Sequence, residues 1–272
     1  MKKRLAAGIL ALAALAAAAA VWAGRAPRFA HAVPDYPMVD LTGVVARAEA
    51  GETDYRLLFA QTGLGAPAVD ALLEEGRGGE LEDFQARYFA PCAWKTVKGA
   101  AVVRLEVTEK DFEFAPLEKG DILLTPSSRC GGWRNGHAAL VVDAEEGLVL
   151  EAYSLGCPSQ LSSLSTWQDK AAVAVLRLKG VSEERRAEMA DWARENLVGL
   201  PYGLFSGLAW LGESTGPPAT QCAHLVWCAC AAFGYDIDGG GGWPVTPRDI
   251  SLSPLLETVQ VWGLPQGQRW PS

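Results

Sequence analysis

The spacing of apolar residues divides the chain into a helical section and a later section of strands and helices. Between residues 40 and 90, apolar residues recur every three or four positions in four short stretches, and several of these stretches end at Gly. This spacing places the apolar side chains on one face of a helix, so it predicts four short helices. Residues 38–116 are therefore interpreted as a mainly helical N-terminal extension that packs on a main domain.

After Pro91 the pattern changes to short runs rich in Val, Leu and Ile, separated by Gly and acidic residues. Such runs are typical of β-strands, and they predict strands at 100–107, 120–125, 137–143, 147–153 and 171–178. Two helices follow, one after an N-cap Ser and one ending at a Gly, and then a loop-rich tail. Residues 117–272 therefore predict an α+β domain, in which a small antiparallel sheet is backed by helices.

The first residues carry the signature of an export segment followed by a linker. Three basic residues at 2–4 precede an unbroken apolar run from Leu5 to Val21. This arrangement predicts a signal peptide over 1–23, and an uncleaved membrane anchor is the alternative, since the run is near the lower length limit for one. Residues 24–37, rich in Pro and Ala, are interpreted as a linker. We therefore expect an exported, extracellular or cell-surface protein.

The charge balance narrows the choice of partners. The chain has 24 basic and 32 acidic residues, which gives a formal net charge of −8. An acidic surface repels the phosphate backbone of nucleic acids and the surface of anionic membranes. Neither nucleic acid nor an anionic membrane surface is therefore expected as a partner.

The sequence predicts no metal and no cofactor. Four side chains of types that bind metals fall within nine positions of one predicted helix: Cys222, His224, Cys228 and Cys230. At about 100° per residue they point in different directions, so they do not gather into one tetrahedral zinc site. The Gly-rich stretch 239–242 lacks the Gly-Lys-Ser/Thr of a phosphate-binding loop and is interpreted as a turn.

Two other cysteines are a candidate disulfide. Cys130 and Cys157 flank the predicted hairpin at 137–153 on its outer side. An exported protein permits disulfides, although sequence alone does not fix their connectivity. The pairing of these two cysteines is therefore one of several open alternatives.

Cys222 and His137 are the candidate nucleophile and base. The reactive form of a cysteine is the thiolate, which is favoured by a helix N-terminus and by a neighbouring imidazolium. Cys222 lies at the predicted start of a helix. Of the three His residues, His31 lies in the linker, and His224 is two positions along the same helix, where side chains do not face each other. His137 remains, and a surface His at a strand edge is the alternative interpretation.

Glu151 is the candidate partner for the second ring nitrogen of His137. The predicted hairpin turns at 144–147, and strand partners whose numbers sum to 288 or 290 would place Glu151 opposite or diagonal to His137 on one face. A carboxylate among apolar strand residues is costly unless it is paired. A solvated acid on the hairpin is the alternative.

The order of these residues resembles the YiiX/YebB-like branch of the NlpC-type cysteine hydrolases. The resemblance covers about residues 117–262 and rests on the stretches LEKGDILLT, GHAALVVD, LVLEAYSLG, a following W, AVLRLKG, GLPYGLF, QCAHLVW, GYDID and TPRDISLSP. It implies a circularly permuted papain-like fold, in which His137 precedes Cys222 along the chain. It also implies that Cys222 is the nucleophile, His137 the base and Glu151 the third polar residue, and that Tyr202 shapes the cleft.

Two positions depart from this resemblance. The family often has Ser directly after the nucleophile, whereas this chain has Ala223, a change that leaves the nucleophile intact. His224 has no clear counterpart and is interpreted either as lining the cleft or as packing its helix. Together with Tyr202 it is a candidate substrate-binding residue.

The function that follows is an exported cysteine hydrolase, a peptidase or amidase, that cleaves an amide or ester through an acyl-enzyme. Cell-wall peptides of peptidoglycan are the default substrate that the wider family implies. A lipid-directed amidase, esterase or acyltransferase of the same fold is one alternative. A surface binding module that has lost activity is the other.

Overall fold

The computed structural model describes residues 31–99, 102–109, 112–130, 134–203, 206, 217–242 and 244–271. Its helices are α1 (Thr42–Glu49), α2 (Tyr55–Thr62), α3 (Ala66–Glu74), α4 (Glu80–Phe89), α5 (Glu183–Asn196), α6 (Cys222–Ala231) and α7 (Pro247–Ser251). Its strands are β1 (Trp94–Lys98), β2 (Val102–Val107), β3 (Ile122–Thr125), β4 (Ser128–Cys130), β5 (His137–Asp143), β6 (Leu148–Glu151), β7 (Gln160–Ser163), β8 (Val173–Leu178) and β9 (Leu256–Trp262). The fold is a mixed α+β arrangement of antiparallel sheets and helices.

The larger sheet has six strands in the order β7-β6-β5-β3-β8-β9, and every neighbouring pair is antiparallel. The central strands β3, β5 and β8 are buried along nearly their whole length. Their continuous apolar runs fit this position, because both faces of the strands are covered. Helices α5 and α6 pack against β5 on one face. Both ends of the candidate site, the start of β5 and the start of α6, are thereby fixed to one core.

The smaller sheet joins β1, β2 and β4 in that order. Strand β2 also contacts the turn before β8, because Val107 N donates to Asp169 O at 2.9 Å and Ala171 N donates to Leu105 O at 3.3 Å. Two strands, β1 and β2, therefore fall inside residues 38–116. The section interpreted as mainly helical is helical only as far as Phe89.

The four N-terminal helices share one hydrophobic core with the larger sheet. The junction is the turn between α2 and α3: Val261 N of β9 donates to Gly63 O, and Gly65 N donates to Val259 O, both at 2.8 Å. Gly63 has a φ of 73°, and a Cβ there would lie 2.2 Å from Val261 O. Only Gly permits this close approach. The N-terminal extension is therefore hydrogen-bonded directly to β9, the edge strand of the larger sheet.

The last residues of the interpreted linker also contact the sheet. His31 Nδ1 donates to Ala171 O at 2.7 Å, and the His31 ring lies 4.5 Å from the Trp262 ring. The predicted signal peptide or anchor at 1–23 lies outside the described residues. Within the described part, no helix has the length and apolar character needed to cross a membrane.

Several element boundaries differ from the sequence-based predictions. The strand predicted at 147–153 ends at Glu151, and the helix predicted to end at Gly234 ends at Ala231. The tail predicted as loop contains α7 and is followed by the edge strand β9. Strand β9 was missed because Thr258 and Gln260 interrupt its apolar pattern.

Candidate active site

Cys222 is the first residue of α6, and Gln221 caps that helix. Gln221 Oε1 accepts from Ala223 N at 3.0 Å, while Gln221 Nε2 donates to Val245 O at 2.7 Å. One side chain therefore both starts the helix and ties its start to the loop before α7. Cys222 is largely buried, and its Sγ lies 3.5 Å from Gln221 Oε1.

His137 is the first residue of β5, and the preceding Gly136 determines its position. Gly136 has a φ of 65°, and a Cβ there would lie 2.1 Å from the Trp270 ring and 2.8 Å from Thr125 O. Any larger residue would force the chain away from both neighbours. The Asn-Gly turn thus delivers His137 into register with Thr125 on β3.

Glu151 holds the imidazole of His137. Leu140 pairs with Leu150 across the hairpin, a register that sums to 290 and puts Glu151 diagonal to His137 on the same face. The two side chains meet, with His137 Nε2 2.7 Å from Glu151 Oε2, and both are buried. Cys222 is close enough to this imidazole to be among the groups that raise the pKa of His137.

The protonation of this pair follows from its contacts. Burial alone would lower the pKa of His137, but the hydrogen bonds to Cys222 and Glu151 outweigh it and raise that pKa to about 9. Burial would raise the pKa of Glu151, but the contacts with His137 and Ser162 and the charge of Lys170 lower it to about 2. At neutral pH the pair is therefore an imidazolium and a carboxylate.

Two aromatic side chains fix the plane of the imidazole. The Trp167 ring stacks on His137 with centroids 5.5 Å apart and an interplanar angle of 17°. The Tyr153 ring meets His137 edge-on at 5.6 Å and 83°. These contacts hold the ring in one orientation. The sequence assigned a role to neither Trp167 nor Tyr153. The only signal for Trp167 was the isolated W among the stretches that carry the family resemblance.

A cavity of about 480 Å³ opens beside Cys222 and His137. Its walls include apolar and aromatic side chains from five parts of the fold: Val102, Leu155, Tyr202, Val245 and Trp270. Tyr202 is placed by a parallel backbone bridge to Thr220, just before α6, and burial raises the pKa of its hydroxyl. Tyr202 therefore lies at the cleft, where the sequence predicted it.

His224 lies elsewhere. It is fully buried and is not among the described residues that line the cavity. Its Nδ1 lies 3.2 Å from Thr220 Oγ1, its Nε2 lies 3.4 Å from Cys228 Sγ, and its ring stacks on Trp227. Burial lowers the pKa of His224 to about 4. Of the two interpretations of His224, this placement favours helix packing over contact with substrate.

The remaining cysteines differ in burial. Burial raises the pKa of the Cys228 thiol and raises that of Cys230 to about 12, so both are packing residues. Cys130 and Cys157 are exposed free thiols, and the disulfide considered between them is absent from the structure. Among the described residues, no three His, Cys, Asp or Glu side chains are grouped so as to hold a metal ion.

The fold and site therefore define an α+β protein with a buried His-Glu pair beside a cysteine at a helix start. No family model matches the chain. The chain is 29% identical to the uncharacterized protein YycO of Bacillus subtilis (strain 168) over 143 residues, which are 52% of this chain and 55% of YycO. The chain thus matches about half the length of this curated relative.

Among solved structures, the metalloprotein YiiX from Escherichia coli O157:H7 is similar with a TM-score of 0.40 and 19% identity. The match covers 57% of this chain and 99% of YiiX. Both matches cover little more than half of this chain.

Proposed function

We propose that the protein is a cysteine hydrolase that cleaves an amide or ester bond through Cys222, His137 and Glu151. The observation that carries the proposal is the buried contact of 2.7 Å between His137 and Glu151, next to a cysteine at a helix N-terminus. Such a nucleophile, base and orienting carboxylate form the arrangement of a catalytic triad. The resemblance to permuted papain-like hydrolases supports the same assignment of roles.

The proposed reaction uses these groups in turn. The imidazolium of His137 holds the proton that the Cys222 thiol has given up, and the thiolate attacks the substrate carbonyl carbon. The main-chain N–H of Cys222, at a helix start where N–H groups lack intrahelical acceptors, stabilises the negative carbonyl oxygen. The imidazolium of His137 then protonates the leaving amine or alkoxide, which leaves a thioester. Water, deprotonated by His137, hydrolyses the thioester and restores the thiol.

The first candidate substrate is a peptide amide, with cell-wall peptides as the default that an exported relative of the NlpC-type hydrolases implies. The second candidate is an acyl lipid. It is favoured by the apolar side chains of the cavity wall, among them Val102, Leu155 and Val245. Acyl chains gain binding energy from such surfaces because water is released from both.

The test is turnover of muropeptides and of p-nitrophenyl acyl esters by the purified chain. Cys222→Ser and His137→Ala should each lower kcat/KM by about a hundredfold or more, because each removes a reacting group. Cys157→Ser is the matched control, since Cys157 is an exposed thiol that is not among the described lining residues, and it should keep wild-type activity. Turnover that survives in Cys222→Ser would refute the proposal, and no turnover of any ester or peptide would favour the binding module.

A further inference from the structure

The cavity beside Cys222 carries positive charge without acids of its own. Besides the imidazolium of His137, four cationic side chains line it, and among the described lining residues there is no Asp or Glu; the four are Arg104, Arg134, Lys170 and Arg248. The whole chain has the opposite balance, with 24 basic and 32 acidic residues. Positive charge is therefore concentrated on the surface that a substrate would contact, where it favours an anion.

Lys170 is the most deeply buried of these cations, at 7% exposure. Arg104 is a useful contrast, because it pairs with Glu106 at 3.1 Å and lies over the Tyr153 ring at 5.2 Å. In the described part of the chain, no hydrogen bond or ion pair joins the Lys170 ammonium to another side chain. The Lys170 ammonium is not among the fully buried polar atoms that lack a partner, so it reaches the cavity while most of its side chain is buried. A lysine held in this way is expected to have a partner outside the chain.

Three carboxylates lie near enough for their charge to act on Lys170, those of Glu151, Glu106 and Asp169, and the first two are bonded to other side chains. Glu151, whose charge acts on Lys170, is bonded to His137, and Glu106 is bonded to Arg104. The Lys170 backbone is fixed close to the reactive centre, because its N–H donates to the carbonyl of Trp167 at 3.1 Å. Since Trp167 stacks on the imidazole of His137, Lys170 lies in the turn that supports the proposed base.

We propose that Lys170 binds a negatively charged oxygen group of the substrate, a carboxylate or a phosphate, close to the bond that Cys222 attacks. This inference rests on the proposed function and narrows its substrate to anionic amides or esters. Lys170 is then a specificity-determining residue, because it contacts the substrate away from the reacting atoms.

The test compares two alkylating reagents on the purified full chain. In both, the Cys222 sulfur forms a bond to the CH₂ carbon and iodide leaves; iodoacetate carries a carboxylate where iodoacetamide carries an amide. The ratio of their rates at Cys222, followed by mass spectrometry, reports how strongly the cavity attracts an anion. Lys170→Met should lower this ratio about tenfold or more, as expected for one lost charge-assisted hydrogen bond.

Three controls separate binding from structure. Lys179→Met removes an exposed lysine of the same sequence region and should leave the ratio within about twofold of wild type. Lys170→Arg keeps the charge and should retain most of the ratio. Lys170→Met should melt within about 3 °C of the wild type, because methionine replaces the buried apolar stem of the lysine and the ammonium faces the cavity.

The possible outcomes distinguish a failure of this inference from a failure of the proposed hydrolase function. An unchanged ratio in Lys170→Met, with Cys222 still reacting fast with iodoacetamide, would overturn the inference and leave the nucleophile in place. Iodoacetamide labelling of Cys222 no faster than that of the buried Cys228 would overturn both. Acetate and inorganic phosphate, tested as competitors against iodoacetamide, then distinguish a carboxylate source from a phosphate source by which anion slows the reaction more.

Discussion

The contact between His137 and Glu151 makes a quantitative prediction for Glu151→Gln. The difference between a pKa of about 9 and the ordinary 6.5 corresponds to roughly 3 kcal/mol in favour of the imidazolium. The hydrogen bonds to Cys222 and Glu151 share this stabilisation. Removing the carboxylate should therefore cost roughly 1.5 kcal/mol, and the pKa of His137 should fall by about one.

The free energy of unfolding should depend on pH through the same contact between His137 and Glu151. The pKa of His137 is raised by folding, so its contribution is complete below pH 6.5 and is lost as the pH rises through 9. The pKa of Glu151 is lowered by folding, so its contribution is present above pH 4.5 and is lost as the pH falls towards 2. The difference in unfolding free energy between wild type and Glu151→Gln should therefore be largest near pH 6 and smaller above pH 9.

The assay is a proton NMR titration of the His137 Cε1–H, whose signal is identified by its loss in His137→Gln. Urea unfolding at pH 6 and pH 9.5 gives the stability difference. Glu146→Gln, at the exposed turn of the same hairpin, is the matched control and should change neither quantity. A wild-type midpoint at or below 6.5, or a midpoint that Glu151→Gln leaves in place, would refute the reasoning.

Three further substitutions test how the fold holds the site. Gly136→Ala should cost more than about 2 kcal/mol in urea unfolding and slow alkylation of the nucleophile, because a Cβ at φ 65° meets the Trp270 ring; wild-type stability would contradict this. Asp121→Asn should cost about 3–5 kcal/mol, since Asp121 is fully buried and makes two hydrogen bonds to Arg177 at 2.8 and 2.9 Å, yet the folded variant should be alkylated at the wild-type rate. Gln221→Ala should lose about 1 kcal/mol of helix-cap stability and also slow alkylation, so a variant that loses stability alone would argue against a positioning role.

The local parts of the site could be predicted from the sequence. An even register sum puts His137 and Glu151 on one face, and the hairpin sums to 290, one of the two values that the sequence left open. The polar residues before Cys222 predict the helix start that the structure has. These features depend on contacts between residues close in sequence, and short-range patterns report such contacts well.

The rest depends on packing between distant segments. The stack of Trp167 on His137 and the placement of Lys170 arise in a turn whose sequence has no periodic pattern. The sequence left open whether His224 lines the cleft or packs its helix, because helical periodicity alone does not say which face of the helix meets the sheet. The strands of the smaller sheet were partly missed, since β1 is mostly exposed and lacks an apolar run.

The measurement that tests the central claim most directly is the rate of iodoacetamide alkylation at pH 6, residue by residue. Cys222 is 5% exposed, whereas Cys157 is exposed, so accessibility alone predicts that Cys157 reacts first. If His137 takes the proton of Cys222, Cys222 should instead react at least about tenfold faster, and His137→Gln should remove this advantage. Faster labelling of Cys157, or an advantage that persists without His137, would contradict the account.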